Sequence, residues 1–125
     1  MIQRFDSMTV RRIVANLHAA DPGKARAFYQ DLLGLDLVMD QGWILTLACG
    51  AAMAPQLSIA SEGGSGTPVP DLSIEVDNVD IVYRQAKAAG LEILYALTDE
   101  PWGVRRFFVR DPLGTIVNIL SHPTN

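Results

Sequence analysis

Residues 12–35 read RIVANLHAADPGKARAFYQDLLGL, and the order of signals within them decides the fold. From Arg12 to Ala19 the chain alternates. Ile13, Ala15, Leu17 and Ala19 fall on one face of a strand, and Val14, Asn16 and His18 on the other. Asp21-Pro22 follows, a good N-cap and then a residue preformed for the first helical turn. Ala25, Phe28, Tyr29 and Leu32 recur at helical spacing, which predicts a helix from Pro22 to Leu33 with that face turned inward. Gly34 stops it.

Downstream, Asp36 to Asp40 and Trp43 to Ala48 read as a hairpin joined by Gln41-Gly42, and Gln56 to Ala60 as a further short strand. Ser61 to Pro70 (SEGGSGTPVP) is rich in Gly, Ser and Pro and reads as an extended or flexible linker. The order then repeats. Leu72, Ile74 and Val76 alternate with Asp71, Ser73 and Glu75 in a strand. A helix is predicted over Val79 to Ala89, with Val82, Ala86 and Ala89 inward, and Gly90 ends it. Leu91 to Leu97, Val104 to Arg110 and Thr115 to Leu120 read as strands, the last two joined by the turn Asp111-Pro112-Leu113-Gly114. Ser121 to Asn125 is a polar tail. Strand, helix and three strands, given twice, is the pattern of a duplicated βαβββ unit.

The totals bound what such a chain does. At 125 residues it has the size of one domain, and 49% apolar with 19% charged residues is a globular composition. A net charge of −4 is a poor match for a phosphate backbone, so no nucleic-acid partner is expected. The stretch from Trp43 to Ala54 is too short to span a bilayer, and Met1 to Val10 carries Arg4 and Asp6 and has no apolar core of signal-peptide length. The lone Cys49 suits a reducing compartment. A soluble cytoplasmic protein without a membrane partner is the expectation.

Two stretches carry a resemblance. Asp21 followed by Ala27-Phe28-Tyr29 and Leu33-Gly34-Leu35 is similar to the first-helix signature of the vicinal-oxygen-chelate superfamily. Pro101-Trp102-Gly103, then Arg105 to Val109, then Asp111-Pro112-Leu113-Gly114 resembles its last hairpin. That superfamily holds glyoxalase I, fosfomycin and bleomycin resistance proteins, and extradiol dioxygenases. The resemblance runs from about Arg11 to His122. It implies an α+β fold: two βαβββ modules forming a curved mixed sheet around an open cup, helices outside. Module one would be about 11–60, the linker about 61–70 and module two about 71–122. It also implies that Ile13, Ala15, Leu17, Leu72, Ile74, Val76, Val117 and Ile119 pack on the helices. Val14, Asn16, His18, Ser58, Asp71, Ser73, Glu75 and Asn118 would then face the cup, by strand parity.

Metal-dependent members hold a divalent ion with four side chains, typically His, Glu or Gln. Matched through the motifs, those positions fall here on Val14, Ser58, Asp71 and Asn118. Val14 has no donor atom, Ser58 and Asn118 are weak neutral ligands, and only Asp71 is ionic. That is a poor set for a transition metal. The expectation is therefore no cofactor and no metal, and a likeness to the resistance proteins that hold a drug in the cup, usually as dimers. The predicted function is binding or sequestration of a small, aromatic molecule by a homodimer. The rival is a lyase, isomerase or dioxygenase, with an altered metal site or with acid–base chemistry by Asp71 and His18.

The ligand-facing candidates are Asn16, His18, Ser58, Asp71, Trp102, Arg106, Phe108 and Asn118. His18 faces the cup by parity and is a base or a donor, or else a strand-end histidine bonded to a loop. Asp71 is a lone acid for proton transfer or for a cationic ligand, or a plain polar residue at a strand start. Asn16 and Asn118 orient a ligand or bond across the sheet. Trp102, at the mouth of the last hairpin, is a stacking wall or a packed lid. Phe107 shares parity with Val109 and packs, which leaves Arg106 and Phe108 on the other face. Arg105 and Arg106 read as solvated strand arginines, with an anionic ligand as the alternative. His122 in the tail reads as structural or solvent-exposed.

Overall fold

The computed structural model describes residues 8–50 and 56–123. The reading of the first residues as free of a signal peptide, and the last two residues of the polar tail, therefore lie outside the described part. The described chain divides into two compact units, one of residues 13–72 and the other of residues 8–12 with 73–123. Each is a βαβββ module, so the fold is α+β.

The second module starts with β5 (Leu72–Val76), continues into α1 (Val79–Ala88), and ends with β6 (Ile93–Asp99), β7 (Arg105–Arg110) and β8 (Ile116–Ser121). Its strands lie in the order β5-β8-β7-β6. Helix α1 begins where the Asn78 side chain accepts from the Ile81 N–H at 3.4 Å. It ends before Gly90, which has φ 73°. Its apolar stripe covers the sheet. Val76, Val79, Ala86, Phe107, Val109, Val117 and Ile119 form the core, with Ile74, Val82, Tyr83, Ile93 and Leu97 packed against it. Tyr83 meets Phe107 edge to face at 4.9 Å. The expected packing of Ile74, Val76, Val117 and Ile119 holds, whereas Ala89 is exposed because the helix has already ended.

The first module takes Ile13–His18 of β1 (Val10–His18), then β2 (Asp36–Asp40), β3 (Ile44–Ala48) and β4 (Gln56–Ala60), in the order β2-β3-β4-β1. Strand β1 pairs with β4 in parallel, and β3 pairs antiparallel with β4 and β2. The predicted helix departs from expectation. Pro22–Ala25 is a 3-10 turn, started as predicted by Asp21 Oδ1 accepting from the Gly23 N–H at 3.2 Å. Ala27–Leu32 then widens into a π-helical turn. Its apolar side chains are not inward: Phe28 is 52% and Leu32 70% exposed, and Ile13 beneath the predicted helix face is 58% exposed. Ala15 and Leu17 are exposed as well. Gly23 at the first turn weakens a regular helix by about 1 kcal/mol, which favours the irregular winding.

The segment 61–70 is folded rather than extended. The Gly63 N–H donates to the Thr67 carbonyl at 2.7 Å, and the Gly66 N–H to Glu62 Oε1 at 3.0 Å. Gly63 is buried, and a Cβ there would overlap the Pro68 carbonyl oxygen.

Candidate functional site

Strand parity in the second module sorts β7 cleanly. Phe107 and Val109 enter the core under α1, while Arg106 and Phe108 point to the opposite face. Register places Phe108 against Asn118 of β8 and against Tyr95 of β6. Asn118, Phe108 and Tyr95 thus form a file across three strands. The chain returns from β6 to β7 through a tight turn in which the Gly103 N–H donates to the Glu100 carbonyl at 3.1 Å. Gly103 has φ 91°, a conformation open to glycine. That turn brings Glu100 and Trp102 over the file.

The centre of the cluster is a buried ion pair. Arg106 Nε donates to Glu100 Oε2 at 2.6 Å, and the two side chains are only 4% and 2% exposed. The Tyr95 hydroxyl donates to the same oxygen at 3.1 Å. The guanidinium carbon lies 5.3 Å from the Tyr95 ring centre, 5.0 Å from Trp102 and 4.9 Å from Phe108. Such a cage holds the cation by its ring faces and by Glu100 together. The expectation of a solvated Arg106 is corrected: Glu100 neutralises it, so it lies in the interior. Arg105, on the other face of β7, forks onto Asp80 at 2.8 Å and Asp99 at 3.0 Å. The Arg105 hydrogen bonds hold the Asp80 carboxyl below its usual range, and Asp80 and Asp99 raise the guanidinium in turn.

Two polar rungs join β5 to β8 on the same face. In the first, Asn118 Nδ2 donates to Ser73 Oγ at 3.1 Å. Asn118 is more than nine-tenths buried, and its Oδ1 has no hydrogen-bond partner. An unmet buried carbonyl costs about 1–3 kcal/mol. In the second rung, His122 Nδ1 lies 3.0 Å from Glu75 Oε2, and Arg12 Nε lies 2.9 Å from Glu75 Oε1.

The remaining candidates belong to the first module. Val14 is buried and brings no donor. Ser58 is buried with its hydroxyl bonded to Thr46 Oγ1 at 2.8 Å, and register sets Asn16 beside it. Asp71 is exposed, and its backbone carbonyl accepts from the Asn16 N–H at 3.0 Å. His18 is exposed at the end of β1, opposite Ala60. Among the described residues no three of His, Cys, Asp and Glu stand together as a metal site.

The structure therefore joins Trp102, Arg106, Phe108 and Asn118 in one module, and Asn16, Ser58 and the Asp71 backbone in the other. It adds Glu100, Tyr95 and the His122–Glu75 pair, which the sequence reading passed over. The available signal for Glu100 was its place at the mouth of the β6–β7 hairpin, in line to meet a cation on β7.

A family model described as Glyoxalase/Bleomycin resistance protein/Dioxygenase superfamily matches residues 11–119. No curated protein sequence matches the chain. Among solved structures, an NAD-dependent benzaldehyde dehydrogenase from Legionella pneumophila is 18% identical, with a TM-score of 0.71 over 89% of this chain and 99% of that one. A methylmalonyl-CoA epimerase from Streptomyces coelicolor, in complex with 2-nitronate-propionyl-CoA, is 15% identical, with a TM-score of 0.68 over 93% and 100%. A glyoxalase/bleomycin resistance protein/dioxygenase superfamily member from Vibrio splendidus 12B01 is 21% identical, with a TM-score of 0.62 over 90% and 99%. Identities this low share a fold. No helix of the described residues is long and apolar enough to cross a membrane.

Proposed function

The chain belongs to the glyoxalase/bleomycin resistance protein/dioxygenase superfamily, and from that premise we propose that it binds, and by binding sequesters, a small aromatic molecule without a metal ion. The observation that carries the reading is Asn118. Its amide is held by Ser73, and its buried Oδ1 has no partner. A hydrogen-bond donor brought by an organic molecule completes it. The donor set supports the absence of a metal: Val14 contributes no atom, and the Ser58 hydroxyl is already engaged by Thr46. Tyr95, packed beside Phe108, and Trp102, both partly exposed, supply aromatic surface for a ligand.

The reading includes a cytoplasmic location, which the single Cys49 fits, and a homodimer. Exposed Ile13, Leu17, Phe28, Leu32 and Leu33 of the first module support self-association. Sedimentation of the purified protein checks the dimer.

A thermal-shift panel of small aromatic molecules tests the function, run beside elemental analysis. The expected result is a rise in Tm with a subset of the panel that a chelator leaves unchanged. Near-stoichiometric zinc, iron or manganese would overturn the metal-free reading.

A further inference from the structure

The β5–β8 face carries a second feature that the binding reading does not use. Glu75 is flanked on both sides. One carboxylate oxygen lies 2.9 Å from Arg12 Nε in an ion pair, and the other faces His122 Nδ1 at 3.0 Å. Glu75 is largely buried, with 16% of its side chain exposed, while half of the His122 side chain is open to solvent. A carboxylate only accepts hydrogen bonds. The Nδ1 of His122 must therefore carry the proton. In the neutral ring this leaves the lone pair on Nε2, which has no partner among the described residues. A carboxylate fixing the tautomer and the ring plane while the far nitrogen stays open is the arrangement that makes histidine an effective base.

His122, just past the end of β8, meets Glu75 as Asn118 meets Ser73, and Ser73 and Glu75 share one face of β5. Of the two rungs, the Asn118 rung has an unmet acceptor and the Glu75 rung holds an oriented one. Both call for donors.

We propose that His122 is a proton-accepting site, oriented by Glu75 and Arg12, and that the molecules bound on this face are acidic aromatic alcohols of the phenol class. The proposal rests on the binding reading above and names its ligand class. The step balances simply. The phenol O–H proton moves to Nε2, giving a phenolate and an imidazolium, while the Nδ1–H remains on Glu75. The groups facing His122 are Glu75 from β5 and, through it, Arg12 from β1; the carboxylate stabilises the imidazolium that forms.

para-Nitrophenol is the probe, since its phenolate absorbs visible light and its phenol does not. Calorimetry measures whether it binds, and absorbance separately measures whether it ionises. Bound to the native protein it is expected to show a phenolate-to-phenol ratio about tenfold that of free probe at the same pH, on the acid side of its solution midpoint. His122→Gln keeps a polar side chain at the half-exposed site and is expected to lose the phenolate excess while binding heat, though weaker, is still detected. Glu75→Gln is expected to reduce that excess, because the tautomer is no longer fixed. Binding heat without excess phenolate, or an excess that His122→Gln leaves intact, would overturn the proposal and leave the binding reading standing. Absence of binding heat, with para-nitrophenol and across the aromatic panel, removes the binding reading and the proposal with it.

Discussion

The two modules begin alike and finish differently. Both place an Asx residue before the helix and a left-handed glycine after it: Asp21 and Gly34 in one, Asn78 and Gly90 in the other. In the second module this yields a regular α1 whose Val79, Ala86 and Tyr83 lock onto Phe107 and its neighbours. In the first it yields a 3-10 turn and a π-helical turn with Phe28 and Leu32 outside. End signals mark where a helical segment starts and stops. Regularity between them comes from an apolar stripe that finds a sheet face to cover.

The strongest way to break this contrast is to truncate matching aromatics. Phe107 is fully buried. Phe107→Ala should cost about 3–5 kcal/mol in denaturant unfolding, the usual range for a core aromatic. Phe28→Ala should cost less than about 1 kcal/mol. Equal losses would mean that the first module buries its helix as the second does. If Phe28 instead lies in the proposed dimer contact, its loss should depend on protein concentration.

The modules also differ in how they keep polar groups inside. The second buries an ion pair, Arg106 with Glu100, inside three rings; the first buries a neutral pair, Thr46 with Ser58. Removing one partner of a buried ion pair leaves an uncompensated charge. Glu100→Ala should therefore destabilise by about 3 kcal/mol. Ser58→Ala strands only one hydroxyl, and about 1 kcal/mol is expected. Chemical denaturation of both variants makes the comparison, and a mild Glu100→Ala would show that Arg106 escapes to solvent.

These contrasts mark where the sequence was legible. Alternation fixed the faces of β5, β7 and β8, and so placed Phe107 inward and Arg106, Phe108 and Asn118 together on the other side. It failed where partners are set by tertiary structure. Arg106 looks solvated until the β6–β7 turn returns Glu100 to it. His122 looks like tail until Glu75, 47 positions earlier, comes within 3.0 Å. Periodicity assigned Phe28 and Leu32 to a core face, because the pattern states which residues share a face and not whether anything covers it. The bond between Ser58 and Thr46, set by the pairing of β3 with β4, was likewise out of reach of the sequence.

The helix starts give a smaller test. Asn78 Oδ1 caps α1 through the Ile81 N–H, whereas Asp21 Oδ1 reaches only the Gly23 N–H of a short turn. Asn78→Ala should cost about 1 kcal/mol, and Asp21→Ala a few tenths, since a cap is worth most where it starts a packed helix. Thermal unfolding of the pair resolves the difference.

The smallest effect concerns the charge that pins the start of α1. Asp80, in its first turn, accepts from Arg105 of β7, and that bond holds its carboxyl below the ordinary 3.8. A carboxyl that ionises more readily in the folded than in the unfolded chain adds stability above its unfolded value. The contribution disappears as pH falls through the lower, folded value. Asp80 is nearly half exposed, so solvent screens most of the attraction. Asp80→Asn should therefore cost no more than about 0.5 kcal/mol near neutral pH and shrink further in concentrated salt. Native and Asp80→Asn proteins should converge in stability as pH drops well below 3.8. A gap that persists in acid would assign the role of Asp80 to shape and hydrogen bonding rather than to charge. The regular helix of the second module would then owe its anchoring wholly to the core beneath it.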